Sequence, residues 1–315
     1  MCYNGRVACE RRALAVRSHA PEKTNLLTPT PKERLTAHPA VVLLLFVPVL
    51  LLSQLGRSLL TTAVLSLFPS PVTSATYLTV SLFATLMTVA SVLLYCLLAE
   101  RRSLLSLGFT KRDAGREYAL GILGGLVLFG LPVLLCVIAG TLDLTITRPA
   151  PTLLPLLLCL AGFLIQGASE ELLCRSYLMV SLSRGLPLWA CAVINALLFS
   201  LLHLGNPGIS VIPLVNIFLF GIFASLLTLR RGSVWMVCAI HSMWNFAQGN
   251  VFGIPVSGLA GLPSPLTAQV TEGGWQTLVN GGAFGLEGGL AVTVVLAVAC
   301  SVVMMMPTKQ SEVVR

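Results

Sequence analysis

Charge is what this chain has least of. Only 12 of its 315 residues are Asp or Glu and 20 are Lys or Arg, so charged residues make up 10%, against about 25% in soluble domains. With 56% hydrophobic residues, no soluble surface can be assembled. Thiolate-metal and redox signatures are also missing, because no two cysteines form a CxxC pair. Cys96, Cys136, Cys159, Cys174, Cys191, Cys238 and Cys300 lie inside apolar runs, where a thiol packs as a small hydrophobe. No basic patch studded with aromatics occurs, so the net charge of +8 does not indicate nucleic acid. Short loops carry it, where such charge orients a membrane protein.

What is present is a series of apolar runs of about 20 residues, the length of a bilayer-crossing helix. Barrel strands would instead alternate over about 10 residues. The expected fold class is therefore all-α, a polytopic membrane protein of about eight transmembrane helices around an intramembrane polar cavity. The spans fall near 39–66, 77–99, 118–140, 152–180, 186–203, 211–229, 233–249 and 289–306.

Basic residues set the expected orientation. An inside N-terminus puts Arg6, Arg11, Arg12, Arg17, Lys23, Lys32 and Arg34 in the cytosol, together with Arg101, Arg102, Lys111, Arg112, Arg116, Arg184, Arg230, Arg231, Lys309 and Arg315. Only Arg57 and Arg148 then fall outside, and Arg175 lies in the membrane. This asymmetry is what the positive-inside rule requires of eight spans with both termini cytosolic.

Residues 1–38 are basic and broken by Pro21, Pro29 and Pro31. They lack an apolar core with a small-residue cleavage site, and read as a flexible cytosolic tail rather than a cleaved signal. Residues 39–315 form the transmembrane helical domain. Segment 104–109 reads as a small amphipathic element on the inner leaflet. Segment 250–288, rich in Gly, Pro and Ser and without Lys or Arg, reads as an exterior loop. The Gly121-x-x-x-Gly125 and Gly285-x-x-x-Gly289 spacings permit close helix approach, a pattern that also arises by chance in Gly-rich spans. Compact loops and no retrieval signal favour a bacterial plasma membrane.

Within this apolar background stands one polar constellation. Glu170 and Glu171 are the two carboxylates inside the expected spans, and ionisable groups at that depth cost several kcal/mol unless they serve a cavity. Glu171 and Arg175 are four residues apart, on one helix face, so they can pair. Glu170 is turned about 100° away and is left without an intrahelical partner. Phe199 and His203 share a face of the fifth span, with Asn195 on the same stripe, although Asn195 and Asn216 suit interhelical bonding better. His241, Asn245 and Gln248 share a face of the seventh. At 1.5 Å per residue, Glu170 lies ~20 Å, His203 ~25 Å and His241 ~15 Å from the cytosolic ends of their helices. The three meet near the bilayer midplane.

Other intramembrane protease patterns are absent. There is no HExxH, Gly167-Ala168-Ser169-Glu170 lacks the closing glycine of GxSG, and no two aspartates share the membrane. What is present is Glu170-Glu171-Leu172-Leu173-Cys174-Arg175, then Phe199-Ser200-Leu201-Leu202-His203, then His241-Ser242-Met243-Trp244-Asn245. These EExxxR, FxxxH and HxxxN motifs, in order and on separate helices, resemble the CPBP family of CAAX-processing and bacteriocin-processing membrane proteases, over about 104–249. The resemblance implies an endopeptidase acting on a membrane-anchored protein or peptide. In it Glu170 is the general base, His203 holds or polarises the water, and His241 and Asn245 donate to the oxyanion. Glu171 and Arg175 keep the geometry. No cofactor is required in that scheme, but Glu170, His203 and His241 are also ligands that zinc accepts. Two other classes stay open: a non-proteolytic immunity or partner-binding protein on the same fold, and a proton-coupled transporter.

Overall fold

The structure, a computed structural model, describes residues 38–111 and 113–308; the tail assigned to 1–38 lies outside them except for His38. All eight expected segments hold a helix. These are α1 (Pro39–Leu65), α2 (Ser74–Ala99), α3 (Ala114–Ile138), α4 (Leu153–Leu182), α5 (Leu188–Leu201), α6 (Val211–Arg231), α7 (Trp235–Phe246) and, after a short α8 (Gly274–Asn280), α9 (Leu290–Met305). Among the described residues, five are long and apolar enough to cross a membrane: α1, α2, α3, α4 and α6. Helices α5 and α9 are apolar but shorter. The chain is an all-α polytopic membrane protein, with fewer full-length spans than hydropathy suggested.

Helix ends follow local chemistry. Proline opens α1, where its missing N–H costs nothing. The Thr73 hydroxyl caps α2 by accepting from the Thr76 N–H at 3.2 Å. Arg230 and Arg231 occupy the last turn of α6, and Gly232 follows with φ +63°, the left-handed stop that glycine tolerates. Arg231 also binds both carboxylate oxygens of Glu117, in the first turn of α3.

Helix α7 is the centre of the bundle. It packs against α3 on one side and α4 on the other, while α5 lies on α6 and α6 on α9. Its residues are nearly all buried, although it is only 12 residues long. Leucines such as Leu44, Leu55 and Leu59 on α1 point outward and stay exposed, the face a bilayer would cover.

The Gly121-x-x-x-Gly125 spacing proves structural. A Cβ at Gly125 would lie 2.6 Å from the Ile240 carbonyl oxygen and 2.8 Å from Met243 Cβ, so α3 and α7 touch through glycine. Gly285-x-x-x-Gly289, by contrast, is no helix contact; Gly285 has φ +92° in the loop before α9.

Two loop segments carry structure of their own. Segment 104–109 forms a 3-10 turn at Leu105–Leu107 with Leu107 fully buried, because Arg102 beneath it binds the Ser106 and Ser176 carbonyls at 2.8 Å. Segment 250–288, for which a partly re-entrant course was also open, is structured as well. It contributes β2 (Leu266–Val270), antiparallel to β1 (Leu142–Ile146), then α8. Phe284 and Leu286 are buried beneath it, and this apolar anchoring holds the segment on the bundle.

Gly125→Leu should overpack the α3–α7 contact and lower stability by about 1–3 kcal/mol or more. Gly130→Leu on the same helix, where a Cβ meets nothing within 4 Å, should leave thermal unfolding of the purified protein nearly unchanged.

Candidate active site

The EExxxR helix changes geometry where its motif sits. Helix α4 is α-helical over Leu153–Glu171, then widens into π turns over Leu172–Met179. Such widening is rare and concentrates at functional sites. Arg175 still reaches back to Glu171, Nη1 to Oε1 at 3.0 Å, and its Nη2 donates to the Gly221 carbonyl of α6 at 3.2 Å. Both side chains are fully buried. Its guanidinium also lies over the Phe199 ring, 4.6 Å from the centroid, which gives the phenylalanine of FxxxH a physical role.

Glu171 has a second partner. Its Oε1 lies 2.7 Å from His241 Nδ1. A carboxylate already bound by arginine is an acceptor only, so Nδ1 carries the proton and Nε2 faces the other way. Nε2 is 3.6 Å from Glu170 Oε2. The two glutamates therefore flank one imidazole, Glu171 hydrogen-bonded to Nδ1 and Glu170 facing Nε2 beyond hydrogen-bond range, instead of serving different neighbours as their 100° separation had suggested. The close approach of α7, which meets α4 at Gly167, makes that possible.

Glu170 is not without an intrahelical partner, contrary to expectation. Gln166, one turn earlier, donates from Nε2 to Glu170 Oε1 at 2.6 Å. Because that carboxylate accepts, Gln166 must present its own oxygen to Asn245, whose Nδ2 donates at 2.9 Å. One amide thus ties the base candidate to the HxxxN asparagine and fixes the orientation of both amides. Gln166 was missed in the motifs, yet a glutamine four residues before Glu170 in an apolar run was the signal.

His203 lies beyond the end of α5, in the turn after Leu201, rather than inside the helix. Its Nδ1 is 2.9 Å from the Phe199 carbonyl oxygen and its ring stands edge-on to Phe199 at 5.0 Å. Glu170, His203, His241 and Asn245 all line one cavity. Gln248 and Asn195 stand apart from it. Gln248 donates to the Pro255 carbonyl and to Glu287, and Asn195 to Ser225 at 2.9 Å across α5 and α6.

The zinc alternative needs Glu170, His203 and His241 to converge on one point. Among the described residues no three His, Cys, Asp or Glu side chains form such a set, so the donors as placed do not make a three-ligand site.

The fold and this polar centre define a class: a helical membrane protein with a carboxylate–imidazole–amide cluster facing an internal cavity. A family model described as type II CAAX prenyl endopeptidase, Rce1-like, matches residues 152–247. That stretch runs from the start of α4 through α7 and carries all three motifs. Over residues 152–247 the chain is therefore similar to the CAAX protease family that the motifs resemble; the match begins after α3, later than residue 104. No curated protein and no solved structure matches the chain.

Removing one member of the fully buried Glu171–Arg175 pair leaves the other uncompensated. Glu171→Gln or Arg175→Met should each destabilise the protein by about 3–5 kcal/mol, read as loss of expression and a lowered Tm. Glu170→Gln, which keeps shape and hydrogen bonding, should insert and melt close to wild type.

Proposed function

We propose that the protein is an intramembrane endopeptidase that hydrolyses a peptide bond in a membrane-associated substrate with a water activated by Glu170. One observation carries this reading. Glu170 Oε2 is buried in the cavity wall without a hydrogen-bond partner, while Oε1 is held by Gln166. A carboxylate pinned by one oxygen and free at the other is arranged to take a proton.

In the mechanism, water bound at Glu170 Oε2 and oriented by His203 gives its proton to Glu170 as its oxygen attacks the carbonyl carbon. The developing oxyanion accepts from the second Nδ2–H of Asn245, the first being committed to Gln166. It also accepts from Nε2–H of His241 in its protonated form. Each such donor contributes roughly 3–4 kcal/mol in comparable sites. The tetrahedral intermediate collapses as the C–N bond breaks and Glu170 returns the proton to the leaving nitrogen. No covalent acyl-enzyme forms. Glu171 and Arg175 act through His241, holding its ring in place at Nδ1. The spread of basic residues supports cytosolic termini, and the compact loops a bacterial plasma membrane.

Two variants and one treatment test this. Glu170→Gln should abolish cleavage while Tm stays near wild type. Gln166→Leu should lower kcat about tenfold or more with a smaller change in KM, since one positioning hydrogen bond to a charged group is lost. Exhaustive chelation should leave activity intact. Turnover by Glu170→Gln, or loss of activity on chelation restored by zinc, would reverse the assignment. A cellular phenotype unaffected by Glu170→Gln at unchanged protein level would favour the partner-binding role.

A further inference from the structure

One wall of the cavity that holds Glu170 is a turn tied down by side chains. Val256 and Leu259 exchange backbone hydrogen bonds, 2.9 Å in both directions. They close a two-residue turn whose central residues, Ser257 and Gly258, have φ +48° and +84°. A tight hairpin turn of this kind requires left-handed backbone at both positions. Glycine adopts it freely, whereas serine does so only where something holds it. Glu287 supplies the hold. Its Oε2 accepts from the Ser257 N–H at 2.7 Å, the Ser257 hydroxyl at 2.9 Å and Gln248 Nε2 at 3.3 Å. Glu287 is fixed in turn by Asn216 of α6, which donates to the Glu287 and Gly289 carbonyls at 2.8 and 2.9 Å.

The turn sits where the cavity meets its surroundings. Val256, Ser257 and Leu259 line the same space as Glu170 and His203, yet Leu259 keeps 43% of its surface exposed, so it stands at the rim. Leu259 and Leu78 of α2 also line a neighbouring hollow with Tyr77 and Ala260, and the two spaces adjoin at this leucine pair. Gly258 rests on the turn that carries His203: a Cβ there would lie 2.0 Å from the Pro207 carbonyl oxygen. Gly253 and Gly261, with φ +66° and +107°, bracket the turn, and glycine readily absorbs the backbone change that a hinge needs. We propose that the Val256–Leu259 turn is a lid on the cavity and that Glu287 is its latch. Releasing the Ser257 bonds opens a way in between Leu78 and Leu259. Glu287 acts through the turn and is a positioning residue, and this role holds whatever the cavity acts on.

The chain carries its own reporter. Cys174 lines the cavity and is buried, whereas Cys191 and Cys238 are buried in the core away from it. The test follows the rate at which N-ethylmaleimide labels each of the three in the full-length protein in nanodiscs, resolved by mass spectrometry and without any cleavage assay. Glu287→Ala should speed labelling of Cys174 by about tenfold or more, the scale of one charge-assisted hydrogen bond lost from the closed state. Glu287→Gln, which keeps an acceptor oxygen, and Ser257→Ala, which loses only the hydroxyl bond, should fall between it and wild type. Cys191 and Cys238 should label at the wild-type rate throughout. A Cys174 rate that is the same in wild type and all three variants overturns the lid. So does a rise shared by all three cysteines, which would make Glu287 a support of the whole bundle. Should Glu287→Ala not fold, the Ser257→Ala and Glu287→Gln rates decide.

Discussion

The whole centre depends on the cost of burying charge. Arg175 and Glu171 have no exposed side-chain surface, so neither could stay ionised alone at that depth. Pairing within one helix is only part of the solution. Arg175 also takes a carbonyl from α6 and the face of Phe199 from α5, and Glu171 takes His241 from α7. Each demand for a partner pulls another helix to the same point. The requirement to neutralise one buried ion pair thereby becomes the rule that assembles four helices.

Two backbone features let the partners meet. Widened π turns begin at Leu172, directly after the two glutamates, and change the direction in which the following residues point. Gly121 and Gly125 let α3 lie directly on α7, fixing the depth of His241 and Asn245. The aromatic surroundings stiffen the result. Phe220 meets His241 at 5.0 Å and Trp244 at 5.7 Å, and Phe129 meets Trp244 at 5.2 Å. An imidazole enclosed in this way has little freedom to leave the two carboxylates.

The cavity is built by more of the chain than the motifs. Gln166, Asn245 and both histidines come from the Rce1-like stretch, whereas Arg57, Ser257 and Glu287 come from α1 and the segment before α9. The polar centre and the cavity's far wall therefore have separate sources. Loops and outer helices can therefore vary without disturbing the buried ion pair.

The helical membrane fold, the eight helix positions and four residues that line the cavity, Glu170, His203, His241 and Asn245, were legible in the chain, because bilayer-length apolar runs and rare buried charges are properties of sequence alone. Spacing also revealed the Glu171–Arg175 pair. What spacing could not reveal was contact between helices. That both glutamates flank His241, that Gln166 joins Glu170 to Asn245, that His203 sits past its helix end, and that Arg57 of α1 reaches the same cavity all depend on how helices distant in sequence are rotated and pressed together. Periodicity assigns a residue to a face of its own helix. Which neighbour that face meets, and at what depth, is set by packing, π turns and glycine contacts, and these were decided only in the tertiary structure.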